Sequence, residues 1–365
     1  MIRVAIAGVG NCASSLVQAL SAARKGPVEG LMRSRIGSWG VEDIEIVAAF
    51  DVDARKVGFS VGEAALAKPN CTRVFESDLS AHRTRVLMGP VLDGVAPHMA
   101  DYPDDEAFRV SSAKPVDVAA ALKEARAEIL VCYLPVGAVQ AVSHYAEACL
   151  AAKVALVNCV PVFIASDPAW SSRFAEARLP LVGDDIKSQL GATILHRTLA
   201  SLFDMRGIRI ERTYQLNTGG NTDFLNMLAR ERLSSKKKSK TQSVQSVLNE
   251  PIPAGDVHIG PSDYISWQKD NKVAFIRMEG RGLGGSPIEL EMRLSVQDSP
   301  NSAGVVLDAI RCARLALDAR VGGVLAGPSA AFMKSPPKQA PDFEAQALCD
   351  AFIAQVAGAA QGRGD

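Results

Sequence analysis

The stretch IRVAIAGVGNCASSLVQALSAA, residues 2–23, decides the fold class. Its apolar opening predicts a buried strand, and apolar side chains recur at helical spacing from residue 14 onward. Between strand and helix stands Gly8-x-Gly10-x-x-Ala13, the dinucleotide-binding fingerprint with alanine in third place. The first glycine makes the tight turn, and the second lets a pyrophosphate approach backbone N–H groups. An ordinary strand-to-helix turn is the alternative, and the position directly after the first strand favours the fingerprint.

A second predicted strand, at 44–50, ends in Asp51, the acid expected to bind the adenosine ribose hydroxyls. Because a carboxylate repels a 2′-phosphate, Asp51 favours NAD over NADP. The interval from Gly8 to Asp51 is 43 residues, whereas about 20 is usual. A loop rich in glycine and arginine, residues 25–43, is therefore inserted after the first helix. It either folds over the cofactor or lies on the surface, and the sequence leaves both open.

The remaining pattern predicts two kinds of sheet. Short apolar strands alternate with helices at 129–134, 154–157 and 179–182. This alternation indicates an α/β fold with a Rossmann-type doubly wound parallel sheet, which binds ligands at the carboxyl ends of its strands. Beyond about residue 200, half-buried alternation predicts strands at 208–216, 272–279 and 288–296. They indicate an antiparallel sheet with helices on one face, which is an α+β arrangement.

A strong helical pattern at 303–319 follows a turn and cap region at 298–302. We expect this helix and the chain after it to pack back on the first sheet. The division into domains is then discontinuous. Residues 1–200 together with 303–365 form an NAD-binding Rossmann domain, and residues 201–302 form an inserted α+β domain.

Composition excludes several classes of function. Forty Lys and Arg residues balance forty Asp and Glu residues, so no net field attracts nucleic acid or an anionic membrane. No apolar run approaches the roughly 18 residues that span a bilayer, and the N-terminus is unlike a signal peptide. Seven cysteines without a CxxC pair suit a reducing compartment. We expect a cytoplasmic protein with no nucleic-acid or membrane partner.

A lysine run is the next signal, with Lys236, Lys237, Lys238 and Lys240 interleaved with serines. Such a run in isolation is more often a solvated loop or a nucleic-acid tail. The other interpretation is a loop whose ammonium and hydroxyl groups close over a phosphorylated substrate. Clustered ammonium groups lower one another's pKa, which brings a lysine toward the range where it accepts a proton near pH 7.

Two polar stretches follow predicted strands. Residues 217–223, NTGGNTD, form either a cradle of N–H groups for phosphate or polyol oxygens or a plain turn before a helix. Residues 183–188, GDDIKS, leave metal coordination, acid–base chemistry and a structural ion pair open. The five histidines show no metal-ligand spacing. The sequence contains neither a nucleophile elbow nor a P-loop.

Ten short stretches run along the chain: GVGNCASSL at 8–16, AFDVD at 49–53, LPVG at 134–137, PVFIASDP at 161–168, GDDIKSQLGAT at 183–193, NTGGNTDFLNM at 217–227, SKKKSKTQSV at 235–244, VHIGPSDY at 257–264, DSPNSAG at 298–304 and MKSPP at 333–337. Any one of these stretches is weak evidence for a family, but ten of them in the order of one family are specific for it. Together they resemble the myo-inositol-1-phosphate synthase family, in its shorter prokaryotic form, over nearly the whole chain.

The resemblance implies an isomerase that converts D-glucose 6-phosphate to 1D-myo-inositol 3-phosphate (L-myo-inositol 1-phosphate), a step of inositol and phospholipid biosynthesis. C5 is oxidised by NAD, C6 loses a proton, the enolate attacks the C1 aldehyde, and C5 is reduced again, so that NAD is regenerated. Each step develops negative charge on an oxygen, which fixed ammonium groups stabilise. The resemblance also implies a homotetramer in which the 201–302 domain serves catalysis and builds the subunit contact.

The resemblance implies three sets of site residues. The catalytic set is Lys236, Lys240, Lys272, Lys334, Asp185 and Asp298. The cofactor-binding set is Gly8, Gly10, Asn11, Cys12, Ala13, Asp51, Pro135 and Asp184. The substrate-binding set is Ser188, Gln189, Gly191, Asn217, Asn221 and Asp223.

Among the catalytic residues, the resemblance assigns Lys236 to the proton of the C5 hydroxyl, and Lys272 and Lys334 to the enolate and the C1 oxygen. Two other functions stay open. One is an NAD-dependent sugar-phosphate dehydrogenase with net NADH production, and the other is a non-catalytic NAD-binding sensor. The four spaced lysines favour the synthase over the sensor, which has no need of them.

The substrate phosphate is placed among four side chains: Ser188, Gln189, Asn221 and Lys240. Longer eukaryotic members have a Ser-Gly pair where this chain has Ser188-Gln189, so we expect Gly191 to supply the backbone contact. Prokaryotic members often use a metal ion beside the nicotinamide. Zinc and a monovalent cation are both left open, because nothing in the sequence fixes the ligands.

Overall fold

The computed structural model of the protein describes residues 1–229 and 241–361. Its first sheet consists of β1 (Ile2–Ala7), β2 (Ile44–Asp51), β3 (Val86–Met88), β4 (Ile129–Cys132), β5 (Ala155–Asn158), β6 (Pro180–Val182) and β11 (Gly323–Val324). All seven lie parallel, in the order β11-β6-β5-β4-β1-β2-β3. Strands β1 to β6 lie in the order β3-β2-β1-β4-β5-β6, which is that of a dinucleotide-binding fold. This order confirms the predicted Rossmann-type sheet.

Strand β1 is buried along almost its whole length because both faces of the sheet are covered. Ile2, Val4 and Ile6 belong to one hydrophobic core, and Ala5 and Ala7 belong to the other. The alternation follows from the two-residue period of a strand. This is the environment of a central parallel strand, as the apolar opening of the chain predicts.

The helices that lie wholly within the described residues are α1 (Asn11–Lys25), α2 (Val61–Leu66), α3 (Val118–Glu124), α4 (Val139–Ala152), α5 (Pro168–Glu176), α6 (Ala192–Met205), α7 (Thr222–Asn226), α8 (Asp298–Asp318), α9 (Ala326–Phe332) and α10 (Asp342–Gln361). Helices α1, α8, α9 and α10 pack on one face of the parallel sheet, and α3, α4 and α5 pack on the other. Short 3-10 turns lie at Pro97–Asp101, Ala254–Asp256, Ser266–Gln268 and Leu283–Gly285. Within the described part of the chain, no helix is long and apolar enough to cross a bilayer.

The second sheet consists of β7 (Arg209–Gly219), β8 (Val257–Tyr264), β9 (Asn271–Arg281) and β10 (Pro287–Gln297), in the order β10-β9-β7-β8. Strands β10, β9 and β7 are antiparallel, as predicted, but β8 lies parallel to β7. The wholly antiparallel prediction is therefore corrected at this edge. Strand β8 was not predicted because its sequence, VHIGPSDY, carries glycine, proline and aspartate and lacks apolar alternation.

Helix α6 packs with the second sheet. Its residues Ala200 and Phe203 share a core with Ile276 and Met278 of β9. The domain boundary near residue 200 remains a prediction, and this packing places residues on both sides of that boundary, among them Ala192 and Phe203, in the core of the second sheet.

Helix α8 begins at Asp298 rather than at residue 303, so the interpretation of 298–302 as a turn is corrected. Pro300 stands in the first turn, where its missing N–H leaves no intrahelical bond unmade. The turn and cap region that the sequence predicts at 298–302 is therefore the first turn of the helix itself. The shift brings Asp298 and Ser299 onto the rigid end of a long helix.

The inserted loop after α1 lies against α8 and α10. Arg33 pairs with Asp308 at 2.8 Å and with Asp350 at 2.7 Å. Trp39 Nε1 donates to Asp318 at 2.7 Å. These contacts hold the loop on α8 and α10, and its Gly30 also contacts Gln189, which follows β6.

Candidate active site

The turn after β1 leaves room for a ligand beside the start of α1. Gly8 has a φ of +92°, and a Cβ there would stand 2.8 Å from the carbonyl oxygen of Tyr133. Glycine alone fits this approach. Gly10 is the N-cap residue of α1, and a Cβ on it would meet nothing within 4 Å. The first N–H groups of α1 have no partner within the helix and stabilise an anion placed in that space.

Val9, between the two glycines, is held by hydrogen bonds through both its N–H and its carbonyl oxygen. Its N–H donates to Asp51 Oδ2 at 2.7 Å. Its carbonyl oxygen accepts from Lys56 Nζ at 2.8 Å and from Asn70 Nδ2 at 3.1 Å. Burial lowers the pKa of Lys56, against the opposing effect of Asp51 and Asp53. Sequence reasoning missed Lys56 and Asn70 because neither belongs to a motif.

Asp51 stands at the end of β2, as predicted. Its Oδ1 also accepts from the N–H groups of Val52 at 2.7 Å and Asp53 at 2.9 Å. These bonds fix the carboxylate in one orientation. Because an ionised carboxylate has about four acceptor positions, Asp51 keeps capacity for the hydroxyls of a ribose.

A cleft runs from this turn, between the two sheets, to the starts of β9 and α8. Most of the predicted site residues line it: Gly8, Gly10, Asn11, Cys12, Asp51, Pro135, Asp185, Ser188, Gly191, Asn221, Asp223, Lys272, Asp298 and Lys334. Members of all three predicted sets thus share one cavity. Lys236 and Lys240 lie outside the described residues.

Lys334 and Asp185 form one of two ion pairs in the cleft wall, with Nζ and Oδ1 2.8 Å apart. The N–H of Lys334 also donates to the carbonyl of Asp185 at 2.7 Å, and the N–H of Ser335 donates to that of Asp184 at 2.9 Å. The side chains of Lys334 and Asp185 are 16% and 4% exposed. Three roles were left open for residues 183–188, and the structure shows an ion pair for Asp185, which faces the cleft.

Lys272 and Asp298 form the other ion pair, with Nζ and Oδ1 3.2 Å apart. The ammonium lies 5.9 Å from the ring centroid of Phe224, which adds a cation–π contact. Asp298 stands in the first turn of α8, where the helix dipole favours a carboxylate. A fixed positive charge thus stands on each of two segments that border the cleft.

Asp270, just before β9, is a buried carboxylate that sequence reasoning missed. Its Oδ1 accepts from Asn221 Nδ2 at 2.9 Å and Ser299 Oγ at 2.7 Å. Its Oδ2 accepts from Thr72 Oγ1 at 3.0 Å and from the N–H of Ser299 at 3.1 Å. Burial, followed by the neighbouring Asp298, raises its pKa, and the hydrogen bonds oppose that rise. The only sequence signal was its place two residues before Lys272.

Asp184, predicted to bind the cofactor, is fully buried and does not line the cleft. Its carboxylate accepts from Asn158 Nδ2 at 2.7 Å, from the N–H of Ala165 at 3.0 Å and from Ser166 Oγ at 2.8 Å. Burial raises its pKa to about 6, against the effect of these donors. The geometry is that of a carboxylate that holds the turn after β5.

Three other predicted residues also stand off the cleft wall. Gln189 Nε2 donates to the carbonyl of Gly30 at 2.7 Å, so its side chain turns toward the inserted loop. Asn217 is 2% exposed and accepts from Gln215 Nε2 at 3.1 Å. Ala13 belongs to the core beneath the glycine turn. The structure does not bring these side chains to the cavity.

The start of α6 opens onto the cleft. Gly191 is its N-cap residue, without a side-chain cap, and Ala192 and Thr193 follow on the cleft wall. Ser188 stands beside them, with its Cβ 3.0 Å from where a Cβ on Gly191 would be. The free N–H groups of this first turn form a site for an anion.

Two hydroxyls in the cleft wall are buried and have no hydrogen-bond partner in residues 1–229 and 241–361. They belong to Tyr133 and Ser302. Buried hydroxyls are rarely left unpaired, so both are available to a ligand. Cys12 stands in the same wall as a neutral thiol, because burial raises its pKa to about 12.

A dedicated metal site does not fit the described residues, since no three of their His, Cys, Asp and Glu side chains stand together. Zinc and a monovalent cation therefore both stay predictions. The glycine turn, by contrast, fits a dinucleotide: it offers open space, free N–H groups and an oriented Asp51.

The chain is similar to inositol phosphate synthases over nearly its whole length. The family model described as myo-inositol-1-phosphate synthase matches residues 191–299. Inositol-3-phosphate synthase of Mycobacterium tuberculosis is 53% identical over 96% of this chain and 95% of its own. That of Corynebacterium glutamicum is 51% identical over 97% and 99%.

The solved structure of a myo-inositol-1-phosphate synthase-related protein from Thermotoga maritima superposes with a TM-score of 0.82 at 25% identity, covering 97% of this chain and 98% of that one. Family and Rossmann fold together support NAD use. The paired lysines and the dinucleotide turn stand in one cleft, and the chain is 53% and 51% identical to the two inositol-3-phosphate synthases over nearly its whole length. The chain therefore belongs to the inositol-3-phosphate synthase family, a family of isomerases.

Proposed function

We propose that this protein cyclises D-glucose 6-phosphate to 1D-myo-inositol 3-phosphate, with NAD as a cofactor that is regenerated in each turnover. One observation carries the proposal: Lys272 and Lys334, each with its own carboxylate, line the same cleft as the glycine turn. A protein that only binds NAD has no need of two paired ammonium groups beside its cofactor turn. A simple dehydrogenase needs only one acid–base group.

The first N–H groups of α1 bind the pyrophosphate of NAD, and Asp51 binds the adenosine ribose. A bound NAD would supply reversible hydride transfer at C5 of the sugar. The hydroxyls of Tyr133 and Ser302, which lack a hydrogen-bond partner in the described part of the chain, face the same cavity and orient ligands within it. The residues on the cleft wall therefore offer contacts to both reactants.

The two ion pairs act on oxygen atoms that gain negative charge. Lys272 and Lys334 donate to the enolate oxygen at C5 and to the oxygen at C1 during ring closure. Their carboxylate partners, Asp298 and Asp185, hold each ammonium in place on the cleft wall. Removal of one such preorganised donor costs about 10²–10³ in kcat in other enzymes. Lys236, outside the described residues, is proposed to accept the proton of the C5 hydroxyl.

The substrate phosphate binds at the start of α6. The free N–H groups after Gly191, with Ser188 beside them, form an anion site on the cleft wall. Asn221 faces the same cavity, and Lys240 is proposed to contribute a charge. Gln189 is omitted from this site because its side chain bonds to Gly30. Gly191 thus takes the place of the glycine found in longer members.

We further propose a homotetramer whose contacts use the outer face of the second sheet. Leu216, Phe275 and Arg293 are directly opposite one another across β7, β9 and β10. Leu216 and Phe275 are 43% and 42% exposed, which is more than such side chains usually show in the middle of a sheet. An interface between copies of the chain covers this face.

The test is to incubate the purified protein with glucose 6-phosphate and NAD and to follow inositol phosphate by chromatography and NADH by absorbance. The proposal predicts inositol phosphate without net NADH. NADH without inositol phosphate would identify a sugar-phosphate dehydrogenase. NAD binding with neither product would identify a sensor.

A further inference from the structure

A short segment before β3 joins the cofactor turn to the catalytic lysine of β9. We call residues 70–72 the bridging segment. Asn11, the first residue of α1, accepts through Oδ1 from the N–H groups of Cys71 at 2.7 Å and Thr72 at 3.0 Å. Asn70 donates to the carbonyl of Val9 at 3.1 Å. The bridging segment is therefore tied to Val9 and Asn11, which stand on either side of Gly10 in the cofactor turn.

On its other side, the bridging segment is tied to Asp270 through one hydroxyl. Thr72 is 8% exposed, and its Oγ1 lies 3.0 Å from Asp270 Oδ2 and 3.0 Å from Ser15 Oγ. An ionised carboxylate only accepts hydrogen bonds. The Thr72 hydroxyl must therefore donate to Asp270 and accept from Ser15. The hydrogen bonds thus run in one direction, from Ser15 on α1 through Thr72 to Asp270 before β9.

Asp270 in turn sets the position of the ion pair on the far side of the cleft. Its carbonyl accepts from the N–H of Asp298 at 3.0 Å, and its carboxylate accepts from Ser299 twice. Lys272 follows two residues later on β9. A rotation of the Asp270 carboxylate would displace the first turn of α8 and, with it, the partner of Lys272.

We propose that Thr72 is a positioning residue that holds the Lys272–Asp298 pair in register with the cofactor turn. The inference rests on the proposed function for its effect on turnover. Thr72 does not line the cleft, and it acts through Asp270. Hydrogen bonds to a charged group are among the stronger ones in proteins, and a misplaced catalytic group lowers turnover even when binding is intact.

The variants Thr72→Val and Thr72→Ser provide a matched pair. Valine keeps the shape and removes the donor, whereas serine keeps the donor. We expect T72V to lower kcat about tenfold, with the NAD dissociation constant and the KM for glucose 6-phosphate unchanged, and T72S to keep the parent kcat. A merely structural role would lower the unfolding temperature of T72V while leaving kcat of the folded enzyme unchanged, and that result would overturn the proposal.

Hydrogen exchange at the amides of Asp298 and Ser299 provides a readout that does not depend on turnover. We expect faster exchange there in T72V and parent-like exchange in T72S. If the unmodified protein forms no inositol phosphate, the proposed function fails, and the exchange rates alone decide the role of Thr72. Should T72V not fold, Ser15→Ala removes the donor behind Thr72 and is expected to change exchange in the same direction. Exchange at Asp298 and Ser299 that is unchanged in these variants contradicts the link.

Discussion

Lys334 Nζ lies 2.8 Å from Asp185 Oδ1, and the N–H of Lys334 donates to the carbonyl of Asp185 at 2.7 Å. The two residues are thus joined by side chain and backbone, although 149 positions separate them in the sequence. An ammonium held in this way has little freedom to reorient. That is the condition under which a fixed charge stabilises an oxyanion without reorganisation during the reaction.

Replacement of this ammonium is expected to abolish most of the turnover. Lys334→Met should lower kcat for glucose 6-phosphate by about 10²–10³, with the NAD dissociation constant unchanged, because the side chain stabilises charge on the substrate. Steady-state kinetics and calorimetric titration with NAD measure the two effects. Lys338→Met is the matched control, since Lys338 is exposed four residues away and does not line the cleft. Parent-like kcat in K334M would exclude a catalytic role for this lysine.

Asp51 is expected to govern cofactor affinity. Asp51→Ala removes the acceptor of the Val9 N–H and the proposed partner of the ribose hydroxyls. The loss of charge-assisted hydrogen bonds should raise the dissociation constant of NAD about tenfold or more. It should also narrow the preference for NAD over NADP, because the carboxylate no longer repels a 2′-phosphate. Titration with each nucleotide tests this, and unchanged affinities for both would place the ribose elsewhere.

Two buried histidines make stability depend on acid pH. Burial lowers the pKa of His82 and of His196 from 6.5 to about 4. Between these two values the unfolded chain binds protons that the folded state does not. The contribution of the two neutral histidines to the free energy of unfolding is therefore fully present above about pH 6.5 and is lost as pH falls toward about 4. Each histidine contributes at most about 3 kcal/mol to this loss.

Urea unfolding at a series of pH values measures the effect. His82→Gln and His196→Asn should each flatten the dependence of the free energy of unfolding on pH. A slope that both variants leave unchanged would assign the acid sensitivity to other groups.

The outer face of the second sheet is expected to hold the assembly together. Phe275→Glu places a charge in the middle of the exposed face and should convert the tetramer to smaller species, as measured by size-exclusion chromatography with light scattering. The matched control is Phe343→Glu, because Phe343 is 88% exposed on α10, which packs on the first sheet. A parent protein that is monomeric, or an F275E tetramer, would contradict the proposed interface.

The parts of the structure that the sequence predicts are those encoded in neighbouring residues. The fingerprint Gly8-x-Gly10-x-x-Ala13 and the acid at Asp51 are local patterns, and the structure places them at adjacent strand ends. Lys272 and Lys334 line the cleft, and each forms an ion pair there with one of the two acids that the family resemblance implies.

The parts that the sequence does not predict depend on contacts between distant segments. Thr72, Lys56 and Asp270 belong to no motif, and their roles arise only when the bridging segment meets both α1 and β9. Gln189 stands in a family stretch, yet its side chain turns away because the inserted loop offers it a carbonyl at Gly30. Asp184 is adjacent to Asp185 but points into the core. A motif fixes which residue types are present, and packing decides which of them face the cleft.

The most direct test of the proposed reaction uses glucose 6-phosphate that carries deuterium at C5. Because hydride leaves C5 and returns to it within one turnover, the account predicts inositol phosphate that retains the deuterium, with no build-up of reduced cofactor. Mass spectrometry of the product and absorbance of the cofactor measure both together. Reduced, deuterated cofactor that accumulates without inositol phosphate would contradict the account and show a net dehydrogenase instead.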